Sequence, residues 1–519
     1  MNIYLRRRVA VGVILLLVVV AAIWGCERRT QVTSATGSSP AAVSASGAPS
    51  PLTPTEQLAR ENARPGTANW TIPEGQTAAL TELAGYTGAS SVPVGGTVAL
   101  HVRSTLGPVT VTAVRIGHYG GVGGRAVWTS PATTVAAQPD PKVLDGGMVV
   151  AGWSPALTVE TKDWPDGAYV LILRAGGKGA YVPLTVRPAS LKGRLVLVNP
   201  TATWQAYNEF GGYSLYKGPG GKAHATRVSF ERPYANNAQH FFLDEYPYVR
   251  LAESKGLPMG YITSEDLETP GILEGARGIV SGGHDEYWTV PMRDAVEAAR
   301  DKGVNIAFLG GNELYWRVRF DSDHRVVIGY RDAFGSDPVK GPTTTALWRS
   351  NPHPRPENTL TGQMYECYPT SGDWVVTTPD WFGYAGTGVR AGSRFAGVVG
   401  VESNRAYPVA GTPSTLQVVA YAKVSCGQGH SAHTGTYYTA PSGAGVFAVG
   451  TINWANVVGD AAGDDATRAF VKAVTGNVLT AMAEGPMGAK HPATPNIGSF
   501  DLPKTTGNGT GGPAVFPAP

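Results

Sequence analysis

Two patterns of apolar residues divide the chain. Between about residues 76 and 190, short runs alternate apolar and polar positions, as at 97–102, 109–114 and 168–173. Turn residues separate the runs and no helical period of useful length intervenes, which is typical of antiparallel strands. This part of the chain predicts a β-sandwich of immunoglobulin type.

From about residue 191 to residue 480 the pattern changes to short, continuously apolar runs, which are typical of buried parallel strands. They lie at 194–198, 278–281, 304–309 and 446–449. Thr289 can cap a helix that Pro291 opens and Gly303 stops, and a second helix is expected at about 464–475. Strand, helix and strand at this spacing predict a right-handed crossover, and hence an α/β domain with a largely parallel sheet.

The first 29 residues are predicted to be a signal peptide or membrane anchor. Arg6, Arg7 and Arg8 precede an apolar run at 9–24, and this charge should hold that end in the cytoplasm. The run ends in the sequence IWGC, so one alternative is a cleaved and lipidated Cys26 and the other an uncleaved signal anchor. Both predict a protein tethered to the extracytoplasmic face of the cell membrane, with simple secretion as a third alternative.

Two segments are poor in large apolar residues and are rich in small or turn-forming ones. Residues 30–75 contain mostly Ser, Thr, Ala, Pro and Gly, and residues 481–519 are similar. Such segments bury too little surface to order themselves. We therefore expect a disordered linker at 30–75 and a flexible tail at 481–519.

The overall composition narrows the range of partners and cross-links. The formal net charge is +3, and no basic run interleaved with aromatic residues occurs, which argues against nucleic acid as a partner. If Cys26 serves the anchor, Cys367 and Cys426 remain as an even pair. In an oxidising compartment they form a disulfide, and the alternative is two free buried thiols. The sequence leaves the oligomeric state open.

Unusual polar and aromatic residues follow three of the predicted strands. These segments are NPTATWQAYN at 199–208, GGHDEYW at 282–288 and GGNELYW at 310–316. Because the carboxyl ends of parallel strands meet at one edge of a sheet, they predict a ligand site there. The alternative is structural: His284 to Glu286 would cap the following helix, and the tryptophans would only pack.

These segments also carry a resemblance. Together with GGYSLY at 211–216 and GHYGG at 117–121, they resemble the large (beta) subunit of N,N-dimethylformamidase, over roughly residues 80 to 480. The expected fold is multidomain, with an immunoglobulin-like β-sandwich followed by a three-layer α/β domain with a largely parallel sheet, glutamine-amidotransferase-like. The resemblance implies hydrolysis of a small amide-like substrate.

The resemblance further implies a mononuclear ferric iron held by two tyrosines and a glutamate. Tyr207 and Glu286 match the first tyrosine and the carboxylate, and Tyr169 is the candidate for the second tyrosine. Hard, anionic oxygen donors of this kind suit ferric iron. Tyr169 has an alternative role, because its surroundings also resemble the tyrosine corner of immunoglobulin sandwiches.

Three further residues are candidates for catalysis. His284 is expected to move a proton or orient the nucleophile, Asn312 to hydrogen-bond a developing oxyanion, and Glu402 to supply another carboxylate.

The sequence thus favours an exported, tethered, iron-dependent hydrolase of a small amide or another C–N bond. A non-catalytic cell-surface binding module on a hydrolase-like fold is the alternative. Processing of envelope peptides or glycans ranks last, because the chain has no Gly-x-Ser-x-Gly elbow, His-Glu-x-x-His helix or phosphate-binding loop.

Overall fold

A computed structural model describes residues 52–221 and 223–503. The predicted targeting segment at 1–29, the first part of the predicted linker and the last part of the predicted tail lie outside these residues. Within the described ranges, no helix is both long and apolar enough to cross a membrane. The helices are α1 (Pro54–Asn62), α2 (Thr201–Tyr207), α3 (Tyr246–Ser254), α4 (Val290–Arg300), α5 (Asn358–Thr361), α6 (Asn453–Val458), α7 (Asp465–Ala483) and α8 (Met487–Lys490).

The N-terminal part is built from two main sheets with a common core. Its strands are β1 (Leu83–Thr87), β2 (Ser91–Pro93), β3 (Thr97–Ser104), β4 (Thr110–Ile116), β5 (Gly124–Thr129), β6 (Lys142–Leu144), β7 (Met148–Val150), β8 (Pro155–Glu160), β9 (Gly167–Ala175) and β10 (Lys178–Arg187). One sheet has the order β1-β3-β8 and the other β2-β10-β9-β4-β5, while β6 and β7 form a separate hairpin. Alternate residues of the two sheets, such as Leu100 and Leu171, meet in one apolar cluster, as the period-two pattern predicts.

The C-terminal part contains a nine-stranded sheet and a smaller sheet beside it. The strands are β11 (Leu195–Asn199), β12 (Arg227–Ser229), β13 (Met259–Thr263), β14 (Gly278–Gly283), β15 (Tyr287–Thr289), β16 (Asn305–Gly310), β17 (Trp316–Phe320), β18 (Val326–Ile328), β19 (Ala346–Leu347), β20 (Met364–Val375), β21 (Arg394–Arg405), β22 (Gln417–Cys426), β23 (Gly429–Thr439) and β24 (Gly445–Ala448). The large sheet has the order β13-β11-β14-β16-β24-β23-β22-β20-β21.

The prediction of a largely parallel sheet holds for only half of this sheet. The strands from β13 to β24 pair in parallel, whereas β24, β23, β22, β20 and β21 pair antiparallel. The antiparallel strands were missed because they interrupt apolar positions with exposed polar ones and with glycine, as in β20 and β21. A strand with one solvated face lacks the continuous apolar run of a buried parallel strand.

Helices cover both faces of the parallel half. Val296 of α4 packs with Val196 and Val198 of β11 on one face. Residues of α3, α6 and α7 pack with Leu195 and Leu197 on the other. The predicted start of α4 is confirmed, since Thr289 accepts a hydrogen bond from the backbone N–H of Met292 at 3.3 Å.

The predicted linker and tail are partly wrong. In the linker range, α1 is capped by Thr53 and carries a buried Leu58, and the downstream Trp70 is also buried. In the tail range, α7 continues to Ala483, and residues up to Leu502 pack on the sheet. The composition of these two segments does not predict this ordered structure, because a few apolar side chains are enough to dock a short segment onto an existing core.

Buried polar contacts join the two parts of the chain into one compact unit. Arg115 of β4 pairs with Glu253 of α3 at 2.8 Å, and Tyr261 donates a hydrogen bond to the same carboxylate at 2.8 Å. The GHYGG motif lies at this junction, where a Cβ on Gly117 would come within 2.4 Å of Glu253 Oε2. Only glycine therefore allows the two parts to approach this closely.

Cys367 and Cys426 form a disulfide with their Cα atoms 5.5 Å apart. The pairing predicted from the sequence is confirmed, and it links β20 to β22 in the antiparallel half of the sheet.

Candidate metal and active site

The predicted strand-end segments converge at one edge of the large sheet. Strands β11, β14 and β16 are parallel neighbours, so the residues after Asn199, Gly283 and Gly310 meet. A Cβ on Gly310 would lie 2.0 Å from the carbonyl oxygen of Gly283, so glycine permits this close approach. The convergence predicted from the sequence is present in the structure.

Three acidic side chains meet at this edge through their oxygen atoms. Tyr207 donates a hydrogen bond from its hydroxyl to Glu286 Oε2 at 2.7 Å. Tyr216 donates to the Tyr207 hydroxyl at 2.7 Å and lies 2.8 Å and 3.0 Å from the two Glu286 oxygens. The two phenol rings stack with their centroids 4.4 Å apart. We call Tyr207, Tyr216 and Glu286 the oxygen cluster.

The backbone around the oxygen cluster is firmly held. Glu286 precedes β15, and its carbonyl accepts hydrogen bonds from the backbone N–H groups of Tyr315 and Trp316. Its own N–H donates to Thr203 Oγ1 in α2 at 3.1 Å. The smaller sheet, in which β15 pairs with β17, thus fixes Glu286 against the helix that ends at Tyr207.

A buried arginine holds the two tyrosine segments together. Arg232 donates to the carbonyl oxygen of Gln205, in the helix that ends at Tyr207, at 3.0 Å and to that of Tyr213, in the loop that leads to Tyr216, at 2.9 Å. Burial lowers the pKa of its guanidinium to about 9. Carbonyl acceptors stabilise this charge and lock the turn at the same time.

His284 borders the oxygen cluster. Its Nε2 atom lies 3.0 Å from the Tyr207 hydroxyl and 3.3 Å from Glu286 Oε2. Its Nδ1 atom lies 3.0 Å from the carbonyl oxygen of Gly311, which only accepts hydrogen bonds. The proton is therefore fixed on Nδ1, and Nε2 is directed into the site.

The electrostatics of the site favour a cation. Burial and the charge of Glu286 raise the pKa of both Tyr207 and Tyr216 well above its ordinary value. Burial opposes protonation of His284, but its hydrogen bond to Glu286 and the charges of Glu402 and Glu286 raise its pKa to about 10. Burial also opposes ionisation of Glu286, yet His284 lowers the pKa of that carboxyl. Several acidic groups thus crowd around one point, and a bound cation would favour their ionised forms, as the charges of His284 and Arg331 do for Glu286.

Asn312 and Glu402 complete the site. Asn312 Nδ2 lies 3.4 Å from Glu286 Oε1, and Glu402 is close enough for Asn312 to lower its pKa. Burial and the charge of Glu286 raise the pKa of Glu402 to about 7, against the opposing effects of His284 and Asn312. Asn312 Oδ1 and Glu402 Oε2 are buried and have no hydrogen-bond partner among the described residues. Two unpaired acceptors beside the oxygen cluster are what a ligand or metal-bound group would satisfy.

The residues present fit a hard cation. The oxygen cluster offers two phenol oxygens and a carboxylate within hydrogen-bonding distance of one another, and a cation would promote ionisation of the phenols. In the described part of the chain, no group of three or more His, Cys, Asp or Glu side chains is arranged to hold a metal. The oxygen cluster differs from such groups because two of its donors are tyrosines.

The structure brings together Tyr207, His284, Glu286 and Asn312 and places Glu402 beside them, but it does not bring Tyr169 to this cluster. Tyr169 lies in the core of the N-terminal sheets, stacked on Trp164 with ring centroids 5.2 Å apart. Its hydroxyl donates to the carbonyl oxygen of Pro165 at 2.6 Å. This hydrogen bond to nearby backbone is the one expected of a tyrosine corner, the alternative role given for Tyr169 in the sequence analysis. Tyr216 occupies the place expected for the second tyrosine.

Tyr169→Phe is expected to lower the free energy of unfolding by about 1–2 kcal/mol, because it leaves the Pro165 carbonyl unpaired in the core. The same substitution should leave bound iron unchanged. Chemical denaturation and metal analysis of the purified variant measure the two effects. A loss of iron without a loss of stability would restore Tyr169 as a ligand.

Comparison with known proteins gives the class of this protein and then its family. The family model described as "N,N-dimethylformamidase beta subunit-like, C-terminal" matches residues 110–465, more than half of the chain. The match identifies a dimethylformamidase-like hydrolase, and the chain belongs to the N,N-dimethylformamidase beta subunit-like family. The resemblance found in the sequence is confirmed.

Comparisons with curated proteins and with solved structures give no further information about function. No curated protein matches the chain. Among solved structures, a Faecalibacterium prausnitzii beta-glucuronidase matches with 12% identity and a TM-score of 0.14, over 44% of this chain. The chain covers only 27% of that structure, and a likeness this low supports no argument about function.

Proposed function

We propose that the protein is an iron-dependent hydrolase of a small amide or another C–N bond. The observation that carries this proposal is the oxygen cluster, in which the side-chain oxygens of Tyr207, Tyr216 and Glu286 lie 2.7–3.0 Å apart at the carboxyl edge of the sheet. Membership of the dimethylformamidase-like family supports the same reaction class.

The oxygen cluster would hold ferric iron through its two phenol oxygens and its carboxylate. When bound, the iron supplies Lewis acidity, which polarises an amide carbonyl and makes bound water more acidic. A metal of this kind is compatible with the hard oxygen donors, and three protein ligands leave room for substrate.

The chain's own residues perform the proton transfers. His284, with its proton fixed on Nδ1 by Gly311, uses Nε2 to accept the proton of the attacking water. A cation in the oxygen cluster opposes the charge of His284 and so favours the neutral form that this step requires. Asn312 Nδ2 donates a hydrogen bond to the oxygen of the substrate carbonyl as negative charge develops there.

Glu402 is suited to the second half of the reaction. Its pKa of about 7 allows it to carry a proton at neutral pH, and it lies on the Asn312 side of the site. We assign it the role of proton donor to the departing amine.

We infer three further features of the protein, two from its sheets and one from its N-terminal sequence. The two-sheet N-terminal part is interpreted as immunoglobulin-like, and the helix-covered parallel half of the large sheet as a three-layer α/β arrangement. We also infer attachment to the extracytoplasmic face of the membrane, from Arg6 to Arg8, the apolar run at 9–24 and Cys26.

The proposal is tested with the full-length protein purified without added metal. We expect close to one iron per chain, visible absorption from phenolate-to-iron charge transfer, and hydrolysis of at least one member of a panel of formamides and acetamides. A folded protein that takes up no iron would overturn the proposal. Iron without turnover on the panel would favour the alternative of a binding module.

A further inference from the structure

One charged side chain beside the oxygen cluster has no part in the proposed proton transfers. The guanidinium carbon of Arg331 lies over the ring of Tyr216, 4.2 Å from its centroid, and over the ring of Trp316, 4.6 Å from its centroid. Tyr207 covers the Tyr216 ring at 4.4 Å. Two groups this close over the same face would overlap, so Arg331 and Tyr207 lie on opposite faces of Tyr216.

Arg331 is fixed in this position. It begins an irregular turn at Arg331–Ser336, and its backbone has a left-handed φ of 49°, a conformation that costs free energy in a non-glycine residue. One end of its guanidinium donates a hydrogen bond to the carbonyl oxygen of Leu215, the residue before Tyr216. The guanidinium thus contacts both the ring of Tyr216 and the backbone of the residue before it.

The charge of Arg331 is directed at the oxygen cluster. In the part of the chain that the structure describes, the buried Nε atom of Arg331 has no hydrogen-bond partner. Burial opposes the positive charge of Arg331, but the acidic groups Tyr287, Tyr216 and Glu286, and to a smaller extent the neighbouring Asp332, raise its pKa above the ordinary value. A guanidinium over an aromatic face is attracted to that ring, and the attraction increases when the ring carries negative charge.

We propose that Arg331 is a positioning residue that acts through Tyr216, holding its ring and setting how strongly its oxygen donates electrons to the metal. This inference rests on the proposed iron site. A positive charge over the face of the Tyr216 ring stabilises electrons on the phenolate more than electrons on a metal that its oxygen would hold, because the ring is nearer to the charge. Arg331 therefore raises the energy of charge transfer from Tyr216 to iron and weakens Tyr216 as a donor.

The test compares the visible spectrum and reduction potential of full-length Arg331→Met with those of the wild type. Removal of the charge should shift the charge-transfer band to longer wavelength by roughly 10 nm and make the reduction potential more negative. Arg331→Lys, which restores the charge, should recover most of both shifts. Arg325→Met is the matched control, since Arg325 lies over the ring of Phe230 at 5.4 Å, away from the oxygen cluster.

Each outcome decides between the alternatives. An iron-loaded Arg331→Met protein whose band and potential match the Arg325→Met control would overturn the inference while leaving the iron site intact. Equal loss of iron from the Met and Lys variants would also overturn it, because it would mean that Arg331 only supports the loop. Absence of iron from the wild type is a different result, since it would remove the proposed function itself.

Discussion

Replacement of either Tyr207 or Tyr216 by phenylalanine is expected to abolish stable iron binding and the visible absorption. Each substitution removes one of three oxygen donors and leaves the aromatic packing in place. Loss of residues that merely support a metal ligand costs 10–100-fold in affinity, so loss of a ligand should cost roughly 100-fold or more. Titration with ferric iron and optical spectroscopy measure the effect.

Tyr169→Phe is the matched control for these two variants. It makes the same chemical change in a buried tyrosine that lies in the N-terminal core rather than at the oxygen cluster. Iron should be lost from the variants at positions 207 and 216 and retained by the variant at position 169. Full retention of iron by Tyr216→Phe would contradict the assignment of Tyr216 as the second tyrosine.

His284→Gln is expected to lower kcat by roughly 10²–10⁴-fold while iron remains bound. Glutamine can still hydrogen-bond Gly311 and Glu286, but its amide cannot accept a proton from water at neutral pH. The measurement is kcat on the best substrate of the panel, with iron content determined on the same preparation.

His240→Gln is the control for His284→Gln. His240 carries an imidazole whose ring centroid lies 5.7 Å from that of Tyr207, outside the oxygen cluster. Its replacement should leave kcat within a few-fold of the wild type. Equal losses at positions 240 and 284 would indicate that disturbance of the Tyr207 surroundings, rather than loss of a specific proton acceptor, lowers activity.

Much of the fold follows from local patterns in the sequence. The runs that became β11, β14 and β16 are continuously apolar because both of their faces are buried, and Thr289 marks the start of α4. The antiparallel strands lack such a signature, because their solvent-facing positions hold polar residues and glycine. Their pairing depends on partners that are distant along the chain.

The same difference between local patterns and long-range contacts explains which site residues the sequence could predict. His284 and Asn312 come just after β14 and β16, and Tyr207 ends the short helix after β11, so the direction of the sheet places them together. Tyr216 lies in an irregular segment whose path is set by long-range contacts to Arg232 and Arg331. The available signal was its position in the GGYSLY motif nine residues after Tyr207, but sequence periodicity does not specify where such a loop turns back.

Crystals of the full-length protein, measured at the iron absorption edge, test the central claim most directly. We expect one anomalous peak within bonding distance of the phenol oxygens of Tyr207 and Tyr216 and of the carboxylate of Glu286. A peak at another place in the molecule, or an iron-free oxygen cluster in catalytically active crystals, would contradict it.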